Sequence, residues 1–189
     1  MNLKLLAAAL LPTLWLPVPA DALNLDHLEQ LRQTGSCVEC DLSGADFTDA
    51  LLSNTDLRGA NLAGANLTRA DLRNANLSRA NLAGASLINA NLTGANLTGS
   101  NLRVAGLIRA NLTDAKLAGA GLSLAKLPGA NLTNADLRLA DLRSTDLREA
   151  TLRAVDLRGA DLRGAELENA ILENVKLSSA ILPDGTISP

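Results

Sequence analysis

The sequence predicts an all-β solenoid, a narrow rod wound from short extended pieces joined by tight bends. Three observations predict it. A leucine, replaced once by Phe47, stands at every fifth residue from Leu42 to Leu182, twenty-nine times without a slip. Two residues before each of these, from Ala45 to Ala180, stands Ala in twenty-three of twenty-eight cases, and the exceptions (Thr55, Ser100, Thr145, Val155 and Val175) are all small or β-branched. The outer positions are filled mainly by Gly, Asn, Asp, Ser and Thr, which favour turns. A fixed internal period governs the architecture before any local propensity does.

Five residues fit neither standard element. Along an α-helix they turn about 500°, so successive leucines would spiral around the axis. Along a strand an odd spacing flips each leucine to the opposite face. Ala and Leu two apart share a face where the backbone is locally extended, so each unit is a short extended piece followed by a bend. Four bends of about a right angle close a square coil, and coils stack at the strand spacing of about 4.8 Å. The inward leucines fill the rod, and only a small residue fits beside each one. Stability then comes from stacking each unit on its neighbours.

The unit reads A-[DN]-L-x-x, as in Ala60-Asn61-Leu62-Ala63-Gly64 and Ala135-Asp136-Leu137-Arg138-Leu139. This run, 41–182, resembles the pentapeptide-repeat family. The resemblance implies a right-handed quadrilateral β-helix with four repeats per coil, so twenty-nine units give a little over seven coils. At about 4.8 Å per coil the rod is about 34 Å long.

The ends read differently. Residues 1–22 read as a cleaved signal peptide: Lys4 is a short basic region, Leu5 to Val18 is apolar, and Ala20, Asp21 and Ala22 form an A-x-A cleavage site. The stretch is shorter than the roughly 20 apolar residues of a membrane span; an uncleaved anchor is the alternative. Residues 23–40 hold a capping helix and a cysteine junction. The helix, 25–34, is marked by Leu25, Leu28 and Leu31 at helical spacing, by Asp26 and Glu29 as a capping box, and by Gly35 as its stop. Such a cap is expected, because a solenoid otherwise ends in an apolar face and unpaired edges. Residues 183–189 form a tail after the turn signal Pro183-Asp184-Gly185, and Thr186 to Pro189 are expected to be loosely held.

Cys37 falls in the leucine phase and Cys40 in the alanine phase, so both are expected to point inward. In an exported chain two cysteines three apart read as a disulfide that staples the helix to the first coil. The rival reading is a thioredoxin-type dithiol, which no βαβ pattern supports.

The sequence offers no catalytic site, no cofactor site and no metal site. The single histidine, His27, lies on the expected helix with no nucleophile and orienting partner around it. P-loop, zinc-protease and nucleophile-elbow motifs are absent. Beyond the leader the only aromatic residue is Phe47, so there is no platform for stacking nucleic-acid bases.

Charge and outward apolar residues carry the remaining information. Arg138, Arg143, Arg148, Arg153, Arg158 and Arg163 each follow a leucine, and all but Arg153 have an Asp two residues before. The plain reading is a solvated ion-pair belt; the sharper one is an anion-binding or partner-docking belt. At the twenty-residue period Ile88, Ile108 and Pro128 form one outward column, with Val104 and Leu124 at the neighbouring corner. Clustered apolar residues of this kind mark contacts, with a protein partner or with a second copy. Thr93, Thr113 and Thr133 form a further column, a weak echo of ice-binding arrays.

The expected function is a non-enzymatic structural or protein-interaction module: a monomer or weak dimer that presents a rigid rod to a protein partner, with no nucleic acid bound and no membrane span after leader cleavage. The leader, helix and cysteine pair resemble exported pentapeptide-repeat proteins of cyanobacteria, which implies the thylakoid lumen or periplasm. The alternative is inhibition of a target enzyme by charge and shape mimicry, as in family members that inhibit DNA gyrase. The alternating Asp and Arg and the net charge of −3 oppose it.

Overall fold

The structure is a computed structural model and describes residues 24–189. The signal peptide read at residues 1–22 lies outside the described residues.

From Ser36 onward the chain bends every five residues and bridges in parallel to the residue twenty positions on, as Asp41 does to Asn61, Asp46 to Asn66 and Leu51 to Asp71. Four sides therefore recur in every coil. Numbered from Asp41, face 1 runs from Asp41 to Ile181, face 2 from Asp46 to Glu166, face 3 from Leu51 to Ile171 and face 4 from Ser36 to Lys176. Most bridges are one residue long. The exception is the parallel pair β1 (Thr151–Arg153) and β2 (Ile171–Glu173), in register Thr151 to Ile171.

One unit shows why the repeat has its composition. The N–H of Asn61 donates to the Cys40 carbonyl in the coil before (2.8 Å), and those of Leu62 and Gly64 donate to Asn81 (2.7 Å) and Ala83 (2.9 Å) in the coil after. The N–H of Ala65 closes a turn onto Leu62 (3.1 Å). The fifth donor, Ala63 N–H, has no carbonyl in reach and donates to Asn61 Oδ1 (3.3 Å). The Asp or Asn before each leucine thus supplies an acceptor that the backbone lacks, and an unmet donor would weaken the coil. Every Asp or Asn at this position from Asp41 to Asp161 makes the same bond. The second turn residue has positive φ, +65° at Gly64, as a type II turn requires.

The leucine positions from Leu42 to Leu162 are at most 2 % exposed, with Phe47 among them. Burial stops before the register does. Leu167 and Leu177 are only partly buried and Leu172 is 49 % exposed, because no further coil lies beyond them on faces 2, 4 and 3 respectively. The tail departs from expectation: Pro183-Asp184-Gly185 turns the chain back, Ile187 bridges antiparallel to Ile181, and Ser188 N–H donates to the Ala180 carbonyl at 2.8 Å. Residues 186–188 are therefore held by backbone bonds rather than loose.

The N-terminal helix α1 (Leu25–Thr34) ends at Gly35 in the left-handed conformation, φ +67°. Its N-cap is Asn24, whose side chain accepts from the N–H groups of Asp26 and His27, so the expected box on Asp26 does not form. Glu29 turns instead to Arg32 and Gln33. Leu31 is buried in the core and Leu28 packs against it.

Candidate functional site

At the junction of α1 and the coil, Cys37 and Cys40 form a disulfide, and both are buried. Asp41 begins a face with no coil before it to accept its N–H. His27 Nδ1 takes that place, accepting from Asp41 N–H at 3.0 Å. No residue spacing signals this role, which depends on where α1 lies.

The six belt arginines are all engaged with carboxylates. Arg138, Arg143, Arg148, Arg158 and Arg163 each grip the Asp two residues before with Nε and Nη2; for Arg138 the distances are 2.8 and 2.7 Å. Arg153, which follows Thr151, reaches across to Glu173 at 3.0 Å. Arg148 also approaches Glu166 in the next coil, at 3.3 Å. Hydrogen bonds from these arginines hold the carboxyls of Asp136, Asp141, Asp146, Asp156 and Asp161 below the usual range, against a smaller opposing effect of burial. The grip also shows that the side chain after each leucine lies back over its own face.

That geometry places the apolar strip. Ile88 lies across face 2, its Cγ1 3.9 Å from where a Cβ on Gly106 would stand. Ile88, Ile108 and Pro128 are consequently half-buried over a layer that includes Gly106 and Ser86, not fully exposed as the sequence implied. Val104 and Leu124, at the corner between faces 1 and 2, are 46 % and 45 % exposed. Both have left-handed backbone, φ +62° and +61°. The same column elsewhere holds Gly44, Gly64, Gly84, Ser144 and Gly164. A left-handed β-branched residue is a genuine outlier.

Beside that corner, on face 1, lies an open groove of about 470 Å³ lined by Arg103, Ser123, Leu124, Arg143, Ser144 and Arg163. It exists because Gly121 and Ser123 leave the outer layer thin between arginines. Sequence reading missed it: the gap appears only when residues twenty apart are set side by side. The threonine column is engaged internally, since Thr93, Thr113 and Thr133 donate to Oδ1 of Asn91, Asn111 and Asn131 at 2.6–2.7 Å. Among the described residues no group of His, Cys, Asp and Glu is arranged to hold a metal, and no helix is long and apolar enough to cross a membrane.

The sequence profile of the pentapeptide repeats matches residues 40–79, 65–103, 105–143 and 145–182. The chain belongs to the pentapeptide-repeat family. As a pentapeptide-repeat protein it has the right-handed quadrilateral β-helix of that family, whose members are generally structural or interaction modules; no catalytic family is indicated. Among solved structures it is similar to HetL, a pentapeptide repeat protein involved in heterocyst differentiation regulation in the cyanobacterium Nostoc, at 34 % identity over 81 % of this chain and 78 % of that one, TM-score 0.54. A pentapeptide repeat protein of the Arabidopsis thaliana thylakoid lumen matches at 32 % identity over 63 % and 70 %, TM-score 0.37. Full-length QnrB1, a plasmid-mediated fluoroquinolone resistance protein, matches at 18 % over 75 % and 92 %, TM-score 0.38. No curated protein matches the chain.

Proposed function

We propose that this pentapeptide-repeat protein is a non-enzymatic interaction module, exported to a thylakoid lumen or periplasm, that presents the corner between faces 1 and 2 to a protein partner. One observation carries the reading. Val104 and Leu124 expose apolar surface at backbone positions where glycine is free of strain and fills the column in most other coils. Solvation and backbone strain are both borne by these two residues in successive coils, whereas Leu139, 73 % exposed with φ +59°, stands alone on another corner; adjacent apolar residues kept in left-handed backbone point to function. The half-buried Ile88 and Ile108 extend the apolar surface onto face 2.

The leader at residues 1–22 and the Cys37–Cys40 disulfide support an oxidising exported compartment. In this reading α1 is the N-terminal cap of a rod of about seven coils, and the protein is a monomer or weak dimer. Mimicry of a polyanion is disfavoured, since each belt carboxylate on Asp136, Asp141, Asp146, Asp156 and Asp161 is matched by its own arginine.

The test is the double variant Val104→Gly, Leu124→Gly. Thermal stability should rise while in-cell crosslinking to the partner falls. Unchanged crosslinking would overturn the reading.

A further inference from the structure

We propose that the groove on face 1 recognises a carboxylate flanked by an apolar group, so that the partner segment seated there is an acidic–apolar stretch of protein. This rests on the interaction reading above and assigns the chemistry of the partner.

The groove has one arginine unlike the rest. Arg143 and Arg163 are each gripped by an Asp two residues before, Asp141 and Asp161. Arg103 follows Asn101, a neutral residue that accepts only the Arg103 backbone N–H, at 3.1 Å. Among the described residues no carboxylate lies within ion-pair distance of Arg103. With Arg143 and Arg163 offset by Asp141 and Asp161, the groove carries one uncompensated positive charge. That balance suits a monoanion better than a dianionic phosphate.

Reach and shape agree. Arg103 and Arg143 stand two coils apart, about 10 Å at the backbone. Gly121 and Ser123 between them leave room for a side chain from outside. Arg143 spends Nε and Nη2 on Asp141, so its Nη1 donors remain for a second acceptor. Ser123 and Ser144 bring hydroxyls to the wall, and Leu124 closes the side toward face 2. A charged head therefore meets Arg103 while the group next to it covers Leu124 and Val104. This combines a charge that orients with an apolar anchor that holds.

The experiment titrates the exported chain, followed by amide NMR, with an acetylated, amidated peptide of one Asp between two Leu. The Asp-to-Asn peptide, hexanoate and inorganic phosphate are the comparison probes. The Asp peptide should shift the amides of Ser123, Leu124 and Ser144 saturably, and the Asn peptide should bind about tenfold or more weakly. Arg103→Gln, an exposed and conservative change, should weaken the Asp peptide by a similar factor with an unchanged circular dichroism spectrum. Hexanoate binding as tightly as the peptide would replace the protein segment by a free carboxylate and overturn the partner assignment. Phosphate binding more tightly, or equal affinity for the Asp and Asn peptides, overturns carboxylate recognition. A photo-crosslinker at position 124 separates the two levels. If it still captures a partner in cells while the peptide fails to bind, the carboxylate proposal falls and the interaction reading stands; if it captures nothing, both fall.

Discussion

Replacing Ser100 by alanine should stabilise the rod. Ser100 occupies the alanine position that opens face 1 at its corner with face 4, between Ala80 and Ala120, and is 1 % exposed. Its Oγ is buried without a hydrogen-bond partner among the described residues. The other two hydroxyls at alanine positions are satisfied: Thr55 donates to the Leu52 carbonyl at 2.7 Å and Thr145 to the Leu122 carbonyl at 2.9 Å. An unpaired buried hydroxyl costs about 1–3 kcal/mol. The backbone bonds of Ser100, its N–H to Leu97 and its carbonyl from Gly121, survive the change. Ser100→Ala should therefore gain about 1–2 kcal/mol, a rise in melting temperature of roughly 2–8 °C for a domain of this size. Urea unfolding followed by circular dichroism reads the gain as a higher midpoint at constant slope. Thr145→Ala, which breaks a satisfied bond, should lower the midpoint in the same assay. If Ser100→Ala is neutral or destabilising, the hydroxyl is not an uncompensated buried group and the reasoning fails.

Other expectations follow from the same bonds. Asn81→Ala removes the acceptor for Ala83 N–H and two links of a side-chain ladder along face 1, to Asn61 and Asn101 at 3.0 Å each; urea unfolding should show a loss of about 1–3 kcal/mol. The belt makes stability sensitive to acid. Arginine bonding depresses the carboxyls of Asp136, Asp141, Asp146, Asp156 and Asp161 in the folded chain, so the unfolded chain binds more protons near pH 4. Their contribution is full above the ordinary aspartate range and is lost as pH falls below it. The Asp136→Asn, Asp156→Asn double variant should flatten that loss, and an unchanged acid midpoint would count against it. His27→Ala leaves Asp41 N–H without its acceptor, and hydrogen exchange should quicken at Asp41 while the central coils stay protected.

The solenoid was legible because its cause is local and periodic: the leucine register and the alanines declare which residues face inward. The acidic and amide residues before each leucine were legible only as turn formers. Their actual task, accepting the fifth N–H of each unit, lies in the two-residue offset between Asp136 and Arg138 or Asn61 and Ala63. The ends were harder. Asn24 and Asp26 are both good caps, and the choice depends on how α1 meets the first coil. Pro183-Asp184-Gly185 was read as a stop, yet the turn it makes lets Ile187 pair with Ile181. Of the candidate surface, the residues of the strip and belt were named from the twenty-residue period. The half-burial of Ile88 and Ile108 was not, because it follows from side chains lying back across their own face. The groove depends on what Gly121 and Ser123 lack, and on an Asn standing at 101 where later coils have Asp.

The claim that one corner of the rod meets a partner is tested most directly by placing a photo-crosslinking residue, one at a time, at Ile108, Leu124, Thr93 and Thr113 in the exported protein in cells. The account predicts that positions 108 and 124, on and beside the corner of faces 1 and 2, yield the same discrete adduct. Positions 93 and 113, across the rod on face 3, should yield none. Equal adducts from all four positions, or adducts from face 3 alone, would contradict it.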